Sequence, residues 1–487
     1  MENGSGGGAA GSGGAAMSTH DKALRINIDG ARYGTFAEIG AGQEVARWFF
    51  HVGGAAGTVA KTMSAYDMAV SDAVYGGVQR YVSRQRLQSM LDHEWSLLLE
   101  RLEATRGPSV KFFVFADTVA TRSWRHPEEG HGWLGIRFQT EKRASPSQII
   151  IHARMWDTEN ARQQDALGIL GVNLIHGAFY DSEHPERLIG ELMDGLTRDR
   201  MEVDMIKFSG QGFSRVDNRL MSLQLVQQRL TNAALFAPDG EVVEPAELLH
   251  EAPVMIERGS FRPITRVTLD MLEKALAAMR AEPGPGADQA AAREPVALLE
   301  MTLRNLMATD ARDHADFLAR MDTLRALGGT VMISNYSRFH NVTTYLRRYT
   351  KNRVGMVLGV PTLAQIFDEK YYEDLEGGIL EALGRLLGGP VKLYVYPIRN
   401  TGSGGEVTVE TFRTAAHLSH LYAHLKENGR IVPLVPGPGL DAGIFPRDVI
   451  AMIRSGDPSW ERHVPEKAVQ LIKERALFGY AMSPAPA

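Results

Sequence analysis

From residue 253 onward, short apolar runs alternate with stretches whose apolar side chains recur every three or four positions. The runs at 254–256, 296–301, 330–334, 354–358 and 391–396 predict strands, and the periodic stretches at 266–280, 314–327, 341–350 and 378–387 predict helices between them. This regular alternation is a five-strand βα series, which implies a doubly wound α/β sheet. Right-handed crossovers would put the carboxyl ends of the strands on one edge, gathering Gly259, Thr302, Ser334, Gly359 and Pro397 around one crevice.

The chain before residue 253 has a different rhythm. A strong apolar stripe (Leu87, Met90, Leu91, Trp95, Leu98, Leu99, Leu102) predicts a helix over 84–102. Three strands at 110–116, 133–139 and 149–155 follow closely enough to favour antiparallel pairing, so a mixed sheet is expected. Helices at 159–180, 185–196 and 218–230 and strands at 202–208 and 233–236 complete this half. Earlier still, Phe36-Ala37-Glu38-Ile39-Gly40-Ala41-Gly42-Gln43-Glu44 resembles the glycine-rich first turn of Rossmann methyltransferases, although Glu44 stands where that pattern has its third glycine. The alternative is a loop capping a helix over 45–52, stopped by Gly53-Gly54.

Composition narrows the classes. Fifty-three Lys and Arg against 58 Asp and Glu, with no long basic block, argue against nucleic acid as a partner. The absence of Cys excludes disulfides, thiolate metal sites and cysteine nucleophiles, and it suits a reducing, cytoplasmic setting. No apolar stretch approaches the roughly 20 residues that span a bilayer, so no membrane partner is expected. Residues 1–16 are a Gly/Ala/Ser tract that reads as a flexible tail, with Met17 as a candidate start. The Pro/Gly/Ala stretch 281–295 reads as an exposed loop.

The candidate chemistry begins where the first C-terminal strand meets its helix. Gly259 would let a backbone approach a phosphate, the following helix N-terminus would offer N–H groups, and Arg262 would add a fixed cation. The segment Gly259-Ser260-Phe261-Arg262-Pro263-Ile264-Thr265 resembles the GSFNPIT signature of the nicotinamide/nicotinate mononucleotide adenylyltransferases, which are Rossmann-like nucleotidyltransferases. The resemblance implies Gly259, Ser260, Phe261, Arg262 and Thr265 as nucleotide- or phosphate-binding residues, and ATP with Mg²⁺ as cofactors. The chain departs from that family at Thr268, where the motif has a histidine. Ser334-Asn335-Tyr336-Ser337-Arg338 resembles the family's triphosphate-binding ISSTxxR segment, though after an earlier strand, which adds Ser334 and Arg338 to the candidates.

Other constellations have plain structural alternatives. His417, His420 and His424 share one helical face and could hold a metal, or mix packing and solvent. Asp117 ends an apolar strand and His131 follows in a loop, which allows either an acid–base pair or a carboxylate capping its own turn.

Over 33–477 the sequence, with ARYGTFAEIGAGQEVARWFF, ALGILGVNLIHGAFY and SGDPSWERHVPE, resembles a bacterial family of nearly this length often labelled nicotinate-nucleotide adenylyltransferase or TonB-dependent receptor. That resemblance implies kinship without supplying an activity. The expected fold class is α/β: a tail over 1–22, an N-terminal mixed α/β domain over 23–251, a Rossmann-like, nucleotidyltransferase-like doubly wound domain over 252–400 and a helical extension over 401–487. The expected function is binding of a nucleotide or phosphorylated small molecule at a degenerate adenylyltransferase-like site, with nucleotidyl transfer as the reaction of an active enzyme. The rival is a non-catalytic scaffold that forms a homo-oligomer.

Overall fold

The computed structural model describes residues 17–122, 130–282, 293–307, 314–399 and 405–481. The chain divides into two compact units, Met1–Val216 and Asp217–Ala487. Most of the tail expected over 1–22, most of the 281–295 loop and a glycine-rich turn at 401–404 lie outside the described residues. Among the described residues no helix is long and apolar enough to cross a membrane.

The first unit holds strands β1 (Arg32–Ile39), β2 (Val59–Met63), β3 (Lys111–Ala120), β4 (Gly130–Phe138), β5 (Ser147–Met155) and β6 (Met201–Gly210). Its helices are α1 (Thr19–Ile28), α2 (Glu44–His51), α3 (Met68–Tyr75), α4 (Arg84–Arg106), α5 (Asn160–Tyr180) and α6 (Pro185–Glu191). The sheet order is β2-β1-β3-β4-β5-β6, parallel from β2 to β3 and antiparallel beyond, as the expected mixed sheet requires. The chain leaves β1 toward β2 and returns to β3 on the other side, so β1 and β3 flank a topological switch point. Two elements differ from expectation. Residues 32–39 form a buried strand before the glycine turn, and α1 begins at Thr19, inside the stretch taken as tail, with Ser18 accepting from the Asp21 amide as its cap.

The second unit holds β7 (Ala233–Phe236), β8 (Val242–Val243), β9 (Val254–Arg258), β10 (Val296–Thr302), β11 (Thr330–Ser334), β12 (Val354–Gly359), β13 (Val391–Tyr396), the two-residue pair β14 (Ile398–Arg399) and β15 (Glu406–Val407), and β16 (Ile431–Pro433). Its helices are α7 (Asn218–Gln227), α8 (Pro245–Leu249), α9 (Arg266–Ala281), α10 (Leu303–Met307), α11 (His314–Ala326), α12 (Phe339–Tyr349), α13 (Val360–Ile366), α14 (Gly378–Leu386), α15 (Ser419–Glu427), α16 (Pro446–Ser455) and α17 (Glu466–Glu474). The main sheet runs β16-β13-β12-β9-β10-β11-β7-β8, all parallel from β16 to β11 and antiparallel at β7 and β8.

Ranked along the chain, those six parallel strands read third, second, first, fourth, fifth, sixth, which is the doubly wound order with its switch point between β9 and β12. One face buries Val254, Ile256, Leu298, Met356 and Leu393 against Val342, Leu346, Leu363 and Leu383 of the helices that cover it. The sheet draws on more chain than expected. Residues 233–236, placed in the first domain by sequence, pair with β11, and residues 431–433 of the expected helical extension add a sixth parallel strand. Both are short pieces whose place is set by a distant partner rather than by their own pattern.

Candidate functional site

The loop from Gly259 to Thr265 connects β9 to α9 at the switch point of the second unit. Its side chains are occupied by the protein itself. A Cβ on Gly259 would meet the Phe261 ring at 2.8 Å, so the glycine makes room for its own buried phenyl ring. Phe261 adopts φ +46°, and the Gly259 amide is bound to the Glu300 carbonyl at 3.0 Å. Arg262 forms an ion pair with Asp316 of α11, and the same carboxylate takes Arg320, which is 1 % exposed. Arg320 also donates to the carbonyls of Ser260 (3.2 Å) and Asn305 (3.3 Å), so it ties the loop to α11 and α10. The cation expected to meet phosphate is therefore paired inside the fold.

Thr265 caps α9 by accepting the Thr268 amide at 3.2 Å, and the two hydroxyls lie 3.0 Å apart. Thr268, in the place of the motif's histidine, thus serves the helix cap. Ser334 donates to Glu300 at 2.5 Å, and Glu300 is held by both Nε and Nη2 of Arg258 at 2.9 Å. Arg258 also reaches the Ser337 carbonyl at 3.3 Å. Arg338 pairs with Asp374. The fold therefore links the two sequence-predicted segments through the Arg258–Glu300 pair, as an internally satisfied network at the edge of β9, β10 and β11.

An open site lies a few residues further on. A cavity of about 330 Å³ is lined by Arg266, Val267, Gly439, Leu440, Asp441, Ile444, Arg462 and His463. Arg266 and Val267 are the first two residues of α9, whose amides have no partner within the helix. Neither Arg266 nor Arg462 has a carboxylate within ion-pairing distance among the described residues. Arg462 Nε donates to His463 Nε2 at 3.0 Å; burial and the Arg462 charge lower the pKa of His463 and keep the ring neutral. Sequence reading missed this cluster because 439–444 and 462–463 approach α9 only through the fold, although SGDPSWERHVPE contains both Arg462 and His463.

The remaining expectations resolve as follows. Asp117 and His131 do not form a pair. His131 sits opposite Ala120 across β3 and β4, two strand positions from Thr118, so it shares their face, whereas Asp117 points to the other. Asp117 instead neighbours Glu38 in register across β1 and β3, at the first unit's switch point. Both are 1 % exposed. Glu38 accepts the Val45 and Ala46 amides at 2.9 and 3.1 Å, closing the N-terminus of α2 with the protein's own carboxylate. Among the described residues neither oxygen of Asp117 has a hydrogen-bond partner by ordinary geometry; burial and then the Glu38 charge push its pKa up, and the Ile39 amide opposes them. Burial likewise lifts Glu38, to about 7.

His417 is not on the same helix as His420 and His424: it sits in a short 3-10 turn and pairs with Glu369 at 2.6 Å. Among the described residues His176, Asp181 and Glu191 come close enough to share a metal, but they are interleaved with cations: Arg25 is 3.3 Å from His176, and Arg187 reaches Asp181 (3.2 Å) and Glu191 (2.9 Å).

No protein-family model and no curated protein matches the sequence. Among solved structures, the chain is similar to the competence/damage inducible protein CihA from Agrobacterium tumefaciens, at 17 % identity over 32 % of this chain and 93 % of that one, with a TM-score of 0.25. Competence-damaged protein (CinA) superfamily members from Klebsiella pneumoniae (15 % identity, 33 % and 96 % coverage, TM-score 0.25) and Enterobacter cloacae (8 %, 36 % and 99 %, 0.26) are similar to the same slight degree.

Proposed function

We propose that the second unit binds a nucleotide or other phosphorylated small molecule at the N-terminus of α9. The observation that carries this reading is the cavity where Arg266, Arg462 and His463 meet the unpaired first-turn amides of α9, beside the switch point of a doubly wound sheet. Phosphate would lie against the amides of Arg266 and Val267, with the two guanidinium groups supplying charge-assisted contacts. The lining holds one carboxylate, Asp441. That fits a Mg²⁺-bound phosphate, since Mg²⁺ commonly takes one or two protein carboxylates and completes its shell with phosphate oxygens and water. In this reading the GSFRPIT loop, with Ser334 and Arg338, is the frame that holds α9 in place, and nucleotidyl transfer is the reaction to test. Isothermal titration with Mg-ATP, a dinucleotide and pyrophosphate tests the binding. The Arg266→Ala/Arg462→Ala variant should bind roughly 10- to 150-fold more weakly, corresponding to about 1.5–3 kcal/mol for a charged hydrogen bond. Absence of heat from the wild-type protein with all three at millimolar concentration would remove the proposal.

A second reading, self-association, draws on Tyr66, Met68 and Val70, which are 74 %, 62 % and 51 % exposed around the start of α3. Light scattering separates the two: a monomer that binds nucleotide opposes a scaffold, and an ordered oligomer indifferent to nucleotide supports one.

A further inference from the structure

The first unit contains a chain of polar side chains unrelated to the phosphate site. On the face opposite Asp117, strands β4, β5 and β6 align His131, His152 and Asp204: His131 Nδ1 lies 3.1 Å from His152 Nε2, and His152 Nδ1 lies 2.6 Å from Asp204 Oδ1. Arg154 Nε donates to the second Asp204 oxygen at 3.0 Å. The Trp133 ring packs on His152 with centroids 4.9 Å apart. His152 and Asp204 are fully buried, while His131 at the strand end keeps partial access to solvent.

The hydrogen bonds fix where the protons sit. Burial raises Asp204 only to about 6, so it is ionised at neutral pH and can only accept. His152 must then present Nδ1–H to Asp204, which leaves its Nε2 lone pair to accept Nδ1–H from His131. The outer nitrogen, His131 Nε2, carries a lone pair with no hydrogen-bond partner among the described residues. Burial, together with the neighbouring His152 and the charges of Arg154 and Arg80, holds His131 down at about 3, so this ring stays neutral and, by itself, is a weak base: a proton it takes has to be handed inward. Arg80 is exposed and has no ion pair among the described residues. With Arg154 paired to Asp204, Arg80 is the positive charge left unpaired near His131.

We propose that His131 is the general base of a second site, with His152 and Asp204 as its positioning relay, acting on a small anionic substrate or on a water bound beside it. A proton taken from a substrate O–H arrives at His131 Nε2. His131 passes its Nδ1 proton to His152 Nε2, and His152 passes its own Nδ1 proton to Asp204. Both imidazoles end neutral with exchanged tautomers, and the added charge is absorbed by the carboxylate instead of creating a buried imidazolium. The proton returns to the product by the reverse path. Arg80 supplies the attraction for the anion.

A reactive ester probes this without knowledge of the natural substrate. With p-nitrophenyl acetate, His131 Nε2 forms the N–acyl bond as the C–O bond to p-nitrophenolate breaks. The Nδ1 proton enters the relay, and water then hydrolyses the acyl-imidazole to acetate with return of the proton. Peptide mass spectrometry of the trapped protein should find the acetyl group on His131, and His131→Gln should lower p-nitrophenolate release by about 10²-fold or more, the scale of positioned acid–base groups. Asp204→Asn should slow release while shifting its pH profile, and a monoanionic p-nitrophenyl ester should outpace the acetate in the wild type but not in Arg80→Ala. Nitrogen-15 NMR of the histidine-labelled wild-type protein stands independently of any variant's folding. It should show His131 and His152 both as Nδ1–H tautomers. A Nε2–H tautomer at His131, or ester cleavage spread over surface histidines and indifferent to His131→Gln, overturns the proposal.

Discussion

The two units solve the same topological problem with opposite charges. Each has a switch point between parallel strands, and each follows it with a glycine-containing turn into a helix. In the first unit the turn after β1 leads to α2, whose first amides are already taken by Glu38, and the neighbouring Asp117 makes the spot acidic and sealed. In the second, Thr265 satisfies only the Thr268 amide, and arginines line the cavity at the first turn of α9. Topology supplies a crevice; whether it receives an anion depends on what already fills the helix end. The glycine pattern of 36–44, which resembles the first turn of Rossmann methyltransferases, is answered from within by the protein's own carboxylate.

The largest expected effect breaks the frame of the second crevice. Asp316→Ala leaves Arg262 and the fully buried Arg320 without their shared carboxylate, and stripping one partner from buried charges should cost about 3–5 kcal/mol. Chemical denaturation measures it; a change under about 1 kcal/mol would mean that the loop is not held as described.

The acidic crevice makes a prediction with a sign. Asp117 and Glu38 bind protons more tightly folded than unfolded, because both folded pKa values are raised. The native state therefore holds more protons, and stability falls as pH rises from the ordinary carboxylate range through about 7, the value for Glu38. Asp117→Asn removes one ionisation without changing shape, so at pH 8 it should be more stable than the wild type by about 1–3 kcal/mol, with the gap closing toward pH 4. A variant less stable than the wild type at pH 8 would show that the Asp117 carboxylate is needed in its charged form.

Residue pattern carried the second unit well. The strands 330–334, 391–396 and 233–236 match the observed bounds residue for residue, because nearly every residue in them is buried and their apolar side chains mark their length. Strand order was not legible, nor were the partners that decide chemistry. Arg262 and Asp316 are 54 residues apart, and His152 and Asp204 are 52 apart. Only the fold brings such pairs together, so the sequence displayed a phosphate-like arginine and concealed its counter-ion. The same blindness paired Asp117 with His131, since alternation along a strand settles faces only once the register is known.

The smallest expected stability effect makes the sharpest test, because it separates two arginines four positions apart. Arg262 has its carboxylate and is 18 % exposed, whereas Arg266 opens onto the cavity, exposed and without an ion pair among the described residues. Arg262→Ala should lower the melting temperature, at a cost of about 1–3 kcal/mol for the Asp316 charge left with Arg320 alone, and leave Mg-ATP affinity unchanged. Arg266→Ala should do the reverse: stability within about 0.5 kcal/mol of wild type, as expected for an exposed side chain, and clearly weaker nucleotide binding. If instead Arg262→Ala weakens binding while Arg266→Ala does not, the phosphate lies in the GSFRPIT loop after all, and the Arg262–Asp316 pair must open to receive it.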